Sequence, residues 1–251
     1  MAPKSTGLGM GLEVNGVSVA GDVNSIGKIG GGPMPIEMTG IDKLGYERFG
    51  GLRDGALEWV SYFNPTLSHP LFAALPTADI IATVRYPGGT IGTVGAGVVA
   101  KQIGYDPKRG NDGSLLVDIK TMSNGSGVEF GLMATAGLRT DGAAGNGAGL
   151  DFGAVIGTTA FGLQMYVQLT AFTGTSVTVK LQHSNDDAAG DPYADITGAT
   201  TVALTTAPQA VRIATAGNVS VKRWVRVVSV GTFSNAVYTV LVCKNPVAVV
   251  F

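Results

Sequence analysis

The sequence predicts a mostly β, antiparallel fold. Three observations carry this. Apolar and polar residues alternate with period two over many short windows. Gly, Val and Thr dominate, with 38 Gly among 251 residues, which suits short strands joined by tight turns. Charged residues make up only 14%, against an average of about 25%, so much of the surface is expected to be covered by partners rather than water.

Residues 1–35 are Gly-rich, with Gly30, Gly31 and Gly32 preceding Pro33. They read as an arm that orders against a neighbour. Thr39-Gly40-Ile41-Asp42 reads as a capping box opening a short helix from Ile41 to Phe49, stopped by Gly50-Gly51. Leu57 to Phe63 reads as an aromatic-rich strand. A second short helix is expected over Pro70 to Leu75, with Ser68 as N-cap and Pro76 beyond its end. Ile80, Ala82, Val84 and Tyr86 then share one strand face. Residues 93–104 and 114–122 read as a long hairpin whose tip runs from Asp106-Pro107 to Asp112-Gly113. Val128 to Ala134 is a further strand. Residues 136–153 are rich in Gly and Ala and read as a flexible connection or arm, placing a domain boundary near residue 155.

Beyond that boundary the alternation is cleaner. Leu163, Met165, Val167 and Leu169 alternate with Gln164, Tyr166, Gln168 and Thr170; Val177, Val179 and Leu181 follow the same pattern. Further strands are expected near Thr201–Leu204, Ala210–Ile213, Val221–Val230 and Ala236–Cys243. This spacing predicts a small antiparallel β-sandwich over residues 156–251.

Chemistry is harder to find. A net charge of −1 lacks the basic footprint of a general nucleic-acid binder. One cysteine, Cys243, cannot form an intramolecular disulfide and sits in an apolar run as a small buried hydrophobe. His69 and His183 match no zinc spacing with it, and no G-x-S-x-G elbow exists. Gly95-Ala96-Gly97-Val98-Val99-Ala100 fits a dinucleotide fingerprint in letters, but the residues after it favour a strand, where phosphate binding needs a helix. The acidic loop Asn185 to Asp191 reads as an Asx-rich turn rather than a calcium loop, since no bidentate Glu follows. Lys222, Trp224 and Arg226 share one strand face. No cofactor, no metal and no catalytic residue is expected. The N-terminal residues contain no apolar stretch of signal-peptide type. No apolar run approaches the ~20 residues of a spanning helix. A chain made in the cytoplasm, with no membrane partner, is the expectation.

Several segments in order resemble the major tail tube proteins of long-tailed (siphovirus-type) bacteriophages that infect actinobacteria. They are Gly21 to Ile26, Met38 to Pro65, His69 to Tyr86 and Lys101 to Leu115. The second half resembles the β-sandwich that often follows in such proteins, through Val177 to Asp187, Asp195 to Ala199 and Val221 to Phe233. The resemblance implies a tail-tube β-sandwich over residues 1–155, with a flanking short helix and a long hairpin contributing to an oligomeric β-barrel. It also implies a homo-oligomer: hexameric rings stacked as a filament in the virion tail, assembled in the host cytoplasm. Tape-measure, tail terminator and baseplate or tip proteins would be partners. DNA would pass through the lumen without sequence-specific binding. An acidic or neutral wall suits that task, and residues 1–155 carry 11 Lys/Arg against 14 Asp/Glu.

On this reading the hairpin tip, with Asp106, Lys108, Arg109 and Asp112, contacts the next ring. The strands around Ile80–Tyr86 and Val117–Lys120 line or support the barrel. The helix bearing Asp42, Lys43, Glu47 and Arg48 sits at a subunit boundary. Two alternatives remain open. A carbohydrate-binding sandwich would use Trp224 and Tyr193 on its outer surface, and a capsid decoration protein would bind shells without polymerising.

Overall fold

The computed structural model describes residues 6–75 and 77–248. The first five residues of the expected arm, and Pro76, lie outside the described residues. Strand accounts for 59% of the described residues and helix for 4%, so the mostly β expectation holds. The strands are β1 (Gly11–Val14), β2 (Val17–Ser18), β3 (Val23–Gly30), β4 (Pro33–Glu37), β5 (Arg48–Arg53) and β6 (Ala56–Tyr62). After helix α1 (Ser68–Phe72) come β7 (Ile80–Arg85), β8 (Val94–Arg109), β9 (Leu115–Met133), β10 (Arg139–Asp141) and β11 (Gly145–Asp151). A one-turn helix α2 (Gly153–Ile156) precedes β12 (Leu163–Ser184), β13 (Ala194–Thr200), β14 (Gln209–Ala214) and β15 (Trp224–Lys244).

The chain forms two compact units that interleave in sequence. Unit 1 comprises Met1–Gly21, Ile81–Gly97 and Phe130–Val250; unit 2 comprises Asp22–Ile80 and Val98–Glu129. Residue 155 lies within unit 1. β8 and β9 each contribute residues to both units.

Unit 1 is built on one long antiparallel pair, β12 with β15, in register from Leu163↔Lys244 to Ser184↔Trp224. The expected separate strands 163–170 and 177–182 are one strand, as are 221–230 and 236–243. Register shifts around Gly174 bend the pair without breaking it. Backbone crowding explains the glycines there: a Cβ on Gly231 would sit 2.2 Å from the Ser176 carbonyl oxygen, and one on Gly174 would sit 2.5 Å from Phe233 Cα. Leu163, Met165, Val167 and Leu169 are fully buried with Val177, Val179, Leu181, Val225, Tyr238 and Val240.

The opposite face of β12 is also covered. Gln168 is completely buried, and its side chain is fully used: Nε2 donates to the Ile81 carbonyl (3.0 Å) and to Thr83 Oγ1 (3.1 Å), while Oε1 accepts from the Gly16 amide (2.7 Å). Gly16 follows Asn15 in the tight β1–β2 turn, both with positive φ. β1 pairs with β7, and there the buried Glu13 carboxylate receives Arg85 in a bidentate grip of 2.6–3.1 Å.

The segment expected as a flexible connection, 136–153, is instead ordered as β10 and β11 against β15. Two of its glycines, Gly147 and Gly149, serve close approach. A Cβ on Gly147 would lie 2.3 Å from Arg139 Nη1 and 3.0 Å from the Val227 carbonyl oxygen. Similarly, most of the expected N-terminal arm is β1 to β4.

Unit 2 carries a sheet of β3, β6 and the distal parts of β9 and β8. One face buries Leu57, Trp59, Val117 and Ile119, with Phe72 of α1 edge-on to Trp59 at 5.4 Å. α1 begins two residues earlier than expected. Ser68 is its first residue rather than its cap, and the Asn64 side chain instead accepts from the Thr66 and Leu67 amides. A separate two-stranded sheet, β4 with β5, interrupts the chain between β3 and β6.

Candidate assembly surfaces

The β4–β5 hairpin is the most exposed apolar feature of unit 2. Its register runs Pro33↔Arg53, Pro35↔Gly50, Ile36↔Phe49, Glu37↔Arg48. The helix expected over Ile41 to Phe49 does not form. Gly40, Gly45, Gly50 and Gly51 weaken any helix through these residues, and Arg48 to Arg53 pairs with β4 instead. Thr39 caps no helix; its hydroxyl accepts the Glu47 amide at 3.1 Å, while the Met38 amide reaches the Glu47 carbonyl at 3.0 Å. The loop between the strands is thereby closed. A Lys43–Glu47 ion pair of 3.5 Å and the Arg48 guanidinium 4.7 Å from the Tyr46 ring lie beside it.

This closure leaves the apolar side chains outside. Ile41 and Leu44 are fully exposed, at 110% and 109%, and Met34, Met38, Phe49 and Leu52 are all more than half exposed. The charged residues Asp42, Lys43, Glu47 and Arg48 are legible in the sequence as surface positions, whereas the apolar set between them is not. The breaker residues Pro33, Pro35, Gly45 and Gly50 are the signal that could have found it.

The β8–β9 turn holds the second predicted set. The Gly110 amide donates to the Ser114 carbonyl at 2.7 Å, and Asp112 accepts from both the Ser114 amide (3.0 Å) and hydroxyl (2.7 Å). Those hydrogen bonds hold the Asp112 carboxyl below its ordinary range. Asp106, Lys108 and Arg109 are exposed or nearly so. Lys108 pairs with Asp118 on β9. Of the strands expected to line the barrel, Ile80 and Val84 of β7 and Val117 and Ile119 of β9 point into cores, whereas Asp118 and Lys120 point out.

The remaining candidates are occupied internally. Tyr193 is stacked by Arg226 at 4.2 Å and donates to Asp187 at 2.6 Å; Arg226 also donates to Gln182 at 3.0 and 2.7 Å. Burial, then the Asp187 contact, raises the Tyr193 hydroxyl above its usual pKa. The Arg223 guanidinium lies 5.8 Å from the Trp224 ring and is tied to Asp151 at 2.6 Å. In the acidic loop, Asp186 accepts from the Gly190 and Asp191 amides and Asp191 pairs with Lys222. Among the described residues no group of three or more His, Cys, Asp or Glu could hold a metal ion.

His69 Nδ1 lies 2.7 Å from the Tyr105 hydroxyl, and Cys243 is buried and in no disulfide. His183 is pushed to a lower pKa by burial and by Lys222. Gly95 to Ala100 lie within β8, with no helix following. An open cleft of about 790 Å³ in unit 1 is lined by Met10, Tyr86, Pro87, Ile91 and Val94 with small polar neighbours, and none of its lining among the described residues is charged. No helix among the described residues is long and apolar enough to cross a membrane.

No protein-family model matches the chain, and no curated protein matches it. Solved structures with similar chains include the sheath/tube terminator of an extracellular contractile injection system, PVC, in its extended state. It has a TM-score of 0.42 and 11% identity over 52% of this chain and 99% of that one. The SPP1 Dit protein, described as a paradigm of hub adsorption apparatus in Gram-positive infecting phages, gives 0.36 and 10% over 93% and 98%. A chain of the phage P2 baseplate in its activated conformation with Ca gives 0.32 and 11% over 94% and 99%. All three scores fall below 0.5, so the functional reading rests on the chain's own residues.

Proposed function

We propose that this chain is a structural subunit that assembles with copies of itself into the tail tube of a long-tailed phage. The observation that carries self-assembly is the β4–β5 hairpin. Its shape is fixed by its own backbone pairing, yet it presents Ile41, Leu44 and a surrounding apolar set to solvent. Exposure of that kind marks a surface made to be covered. A second feature agrees with it. Among the described residues β3 pairs only with β6, so its other edge offers unpaired backbone groups to a neighbouring strand.

The tube, as opposed to some other assembly, is supported by the sequence resemblance of Met38–Pro65, His69–Tyr86 and Lys101–Leu115. In this reading strands of neighbouring subunits join edge to edge in hexameric rings, and head-to-tail contacts stack the rings into an open filament. The hairpin loop and the β8–β9 turn, with Arg109 and Asp112, supply axial contacts. Tape-measure, terminator and tip proteins complete the tail, and DNA passes through.

Negative-stain microscopy of the purified chain at high concentration tests this. Wild type is expected to form filaments with a central channel. Ile41→Glu/Leu44→Glu is expected to stay dispersed with an unchanged melting temperature, and deletion of 107–111 to shorten or abolish the filaments. A wild-type protein that stays monomeric, or a double mutant that polymerises normally, overturns the proposal.

A further inference from the structure

Within unit 1, β10 and β11 both pair with β15, with Arg139 opposite Tyr238 and Gly145 opposite Ser229. The register of β11 shifts between Asn146 and Gly149, so Gly147 and Ala148 stand in a bulge. A cleft of about 320 Å³ opens there, with Ile91, Ala134 and Ala148 on its apolar side. Among the described residues that line it, Arg139 is the one charged group, and Asn146 stands with it.

Arg139 is fixed from several sides. Its Nε donates to Asp141 Oδ1 at 2.8 Å, and Asp141 Oδ2 accepts from the Ser229 hydroxyl at 2.6 Å and the Tyr238 hydroxyl at 2.7 Å. Burial would raise the Asp141 carboxyl, but these donors hold it below its ordinary pKa, so it stays ionised beside the guanidinium at neutral pH. The guanidinium carbon lies 5.7 Å from the centre of the Tyr238 ring. Gly147 leaves the space that Nη1 needs: a Cβ there would lie 2.3 Å from it. Nε is the only nitrogen of this guanidinium with a hydrogen bond among the described residues. The edge formed by Nη1 and Nη2 is therefore unused, on a side chain only 18% exposed. The exposed Asn146 side chain is likewise without a hydrogen bond among the described residues.

We propose that this cleft is a receptor for a single carboxylate, gripped by Arg139 through Nη1 and Nη2 with Asn146 donating from the rim. The planar fork of a guanidinium matches a carboxylate bidentately. Asp141 offsets the one positive charge, which disfavours a phosphate dianion. Pockets for small ligands run from about 300 Å³ upward, so this cleft takes a short alkyl chain behind the carboxylate. Its source is a short aliphatic acid or an acidic side chain of a second copy. The second source rests on the tube reading above; the receptor does not.

Saturation-transfer NMR with sodium propionate and dispersed full-length protein tests the receptor. Wild type is expected to pass saturation to propionate and not to 1-propanol, which has the same alkyl chain without the carboxylate. Arg139→Lys keeps the charge but not the second donor edge, and is expected to weaken binding at least about tenfold. Asn146→Asp sets a repelling carboxylate at an exposed position and is expected to weaken binding too, which decides the matter should Arg139→Lys lose its fold. Arg223→Lys alters an arginine whose Nε and Nη2 are both bound to Asp151, and is expected to bind as wild type does. The receptor is overturned by no transfer to propionate, by equal transfer to propanol, or by undiminished binding in the folded cleft variants. Inorganic phosphate that displaces propionate better than acetate does also overturns it.

Excess propionate added to wild-type filaments separates the two sources. Filaments that come apart assign the carboxylate to a neighbouring copy, and filaments that persist assign it to a free acid. A wild-type protein without filaments overturns the tube alone, because the NMR titration is read on dispersed protein.

Discussion

Glu13 has no access to water, and its solvation is supplied chiefly by one guanidinium. Arg85 donates to it from Nε and Nη2, at 18% exposure against 0% for the carboxylate. Removing one partner from such a pair leaves an uncompensated buried charge, a loss of about 3–5 kcal/mol. Arg85→Leu is therefore expected to lower the denaturant midpoint sharply in urea unfolding. Glu13→Gln/Arg85→Leu together should recover part of that loss. Neither residue stands out in the sequence, because a lone Glu in an apolar strand and an Arg on an alternating one look like ordinary solvent-facing positions. Trp224 and Tyr193 show the converse. Both are legible as an aromatic pair suited to an outer surface, yet Arg226 already covers the Tyr193 ring and Arg223 stands near Trp224.

At the scale of elements, the period-two pattern places strands well wherever one face is apolar. It does not count them, because Gly-rich interruptions look alike whether a strand ends or bends. Gly174 and Gly231 are bends, and the strand pairing carries on past them. Gly231 has a φ of +129° and a carbonyl oxygen 2.2 Å from where a Cβ would stand. Gly231→Ala is thus expected to destabilise unit 1 by about 1–3 kcal/mol, read as a lower melting temperature by circular dichroism. The loop 38–47 misleads in another way: a capping-box pattern meets too many glycines for a helix, and the segment closes a hairpin instead. The assembly candidates Asp42 to Arg48 thereby keep their exposure and change their geometry.

The whole molecule should be acid-sensitive. Arg223 hydrogen bonding holds Asp151 below its ordinary pKa, Lys101 does so for Asp79, Lys222 for Asp191 and Lys180 for Asp195. Burial alone would raise Asp141, but donors from Arg139, Ser229 and Tyr238 more than offset it. A carboxyl lowered in the fold contributes stability above its unfolded pKa, near about 3.9, and loses it as pH falls through the folded value. Melting temperature is therefore expected to be flat from about pH 7 to about 5 and to fall below about 4. Asp141→Asn should flatten part of that fall. Mostly β composition is legible at this scale, and so is the scarcity of charge. The interleaving of the two units is not, because strand pairing between distant segments leaves no local mark in the chain.

β15 is the shared partner of β9, β10, β11 and β12, and it follows all four in the chain. The β4–β5 hairpin, by contrast, closes between residues 33 and 53 and needs nothing downstream. Time therefore enters the biology of this chain. The exposed apolar loop emerges from the ribosome early, while unit 1 waits for β15, and pairings this distant in sequence are slow to form. A chain released before Trp224 would carry the exposed apolar loop yet be unable to finish its own sheet, so under the proposed self-assembly the synthesis of β15 is the step that must precede joining.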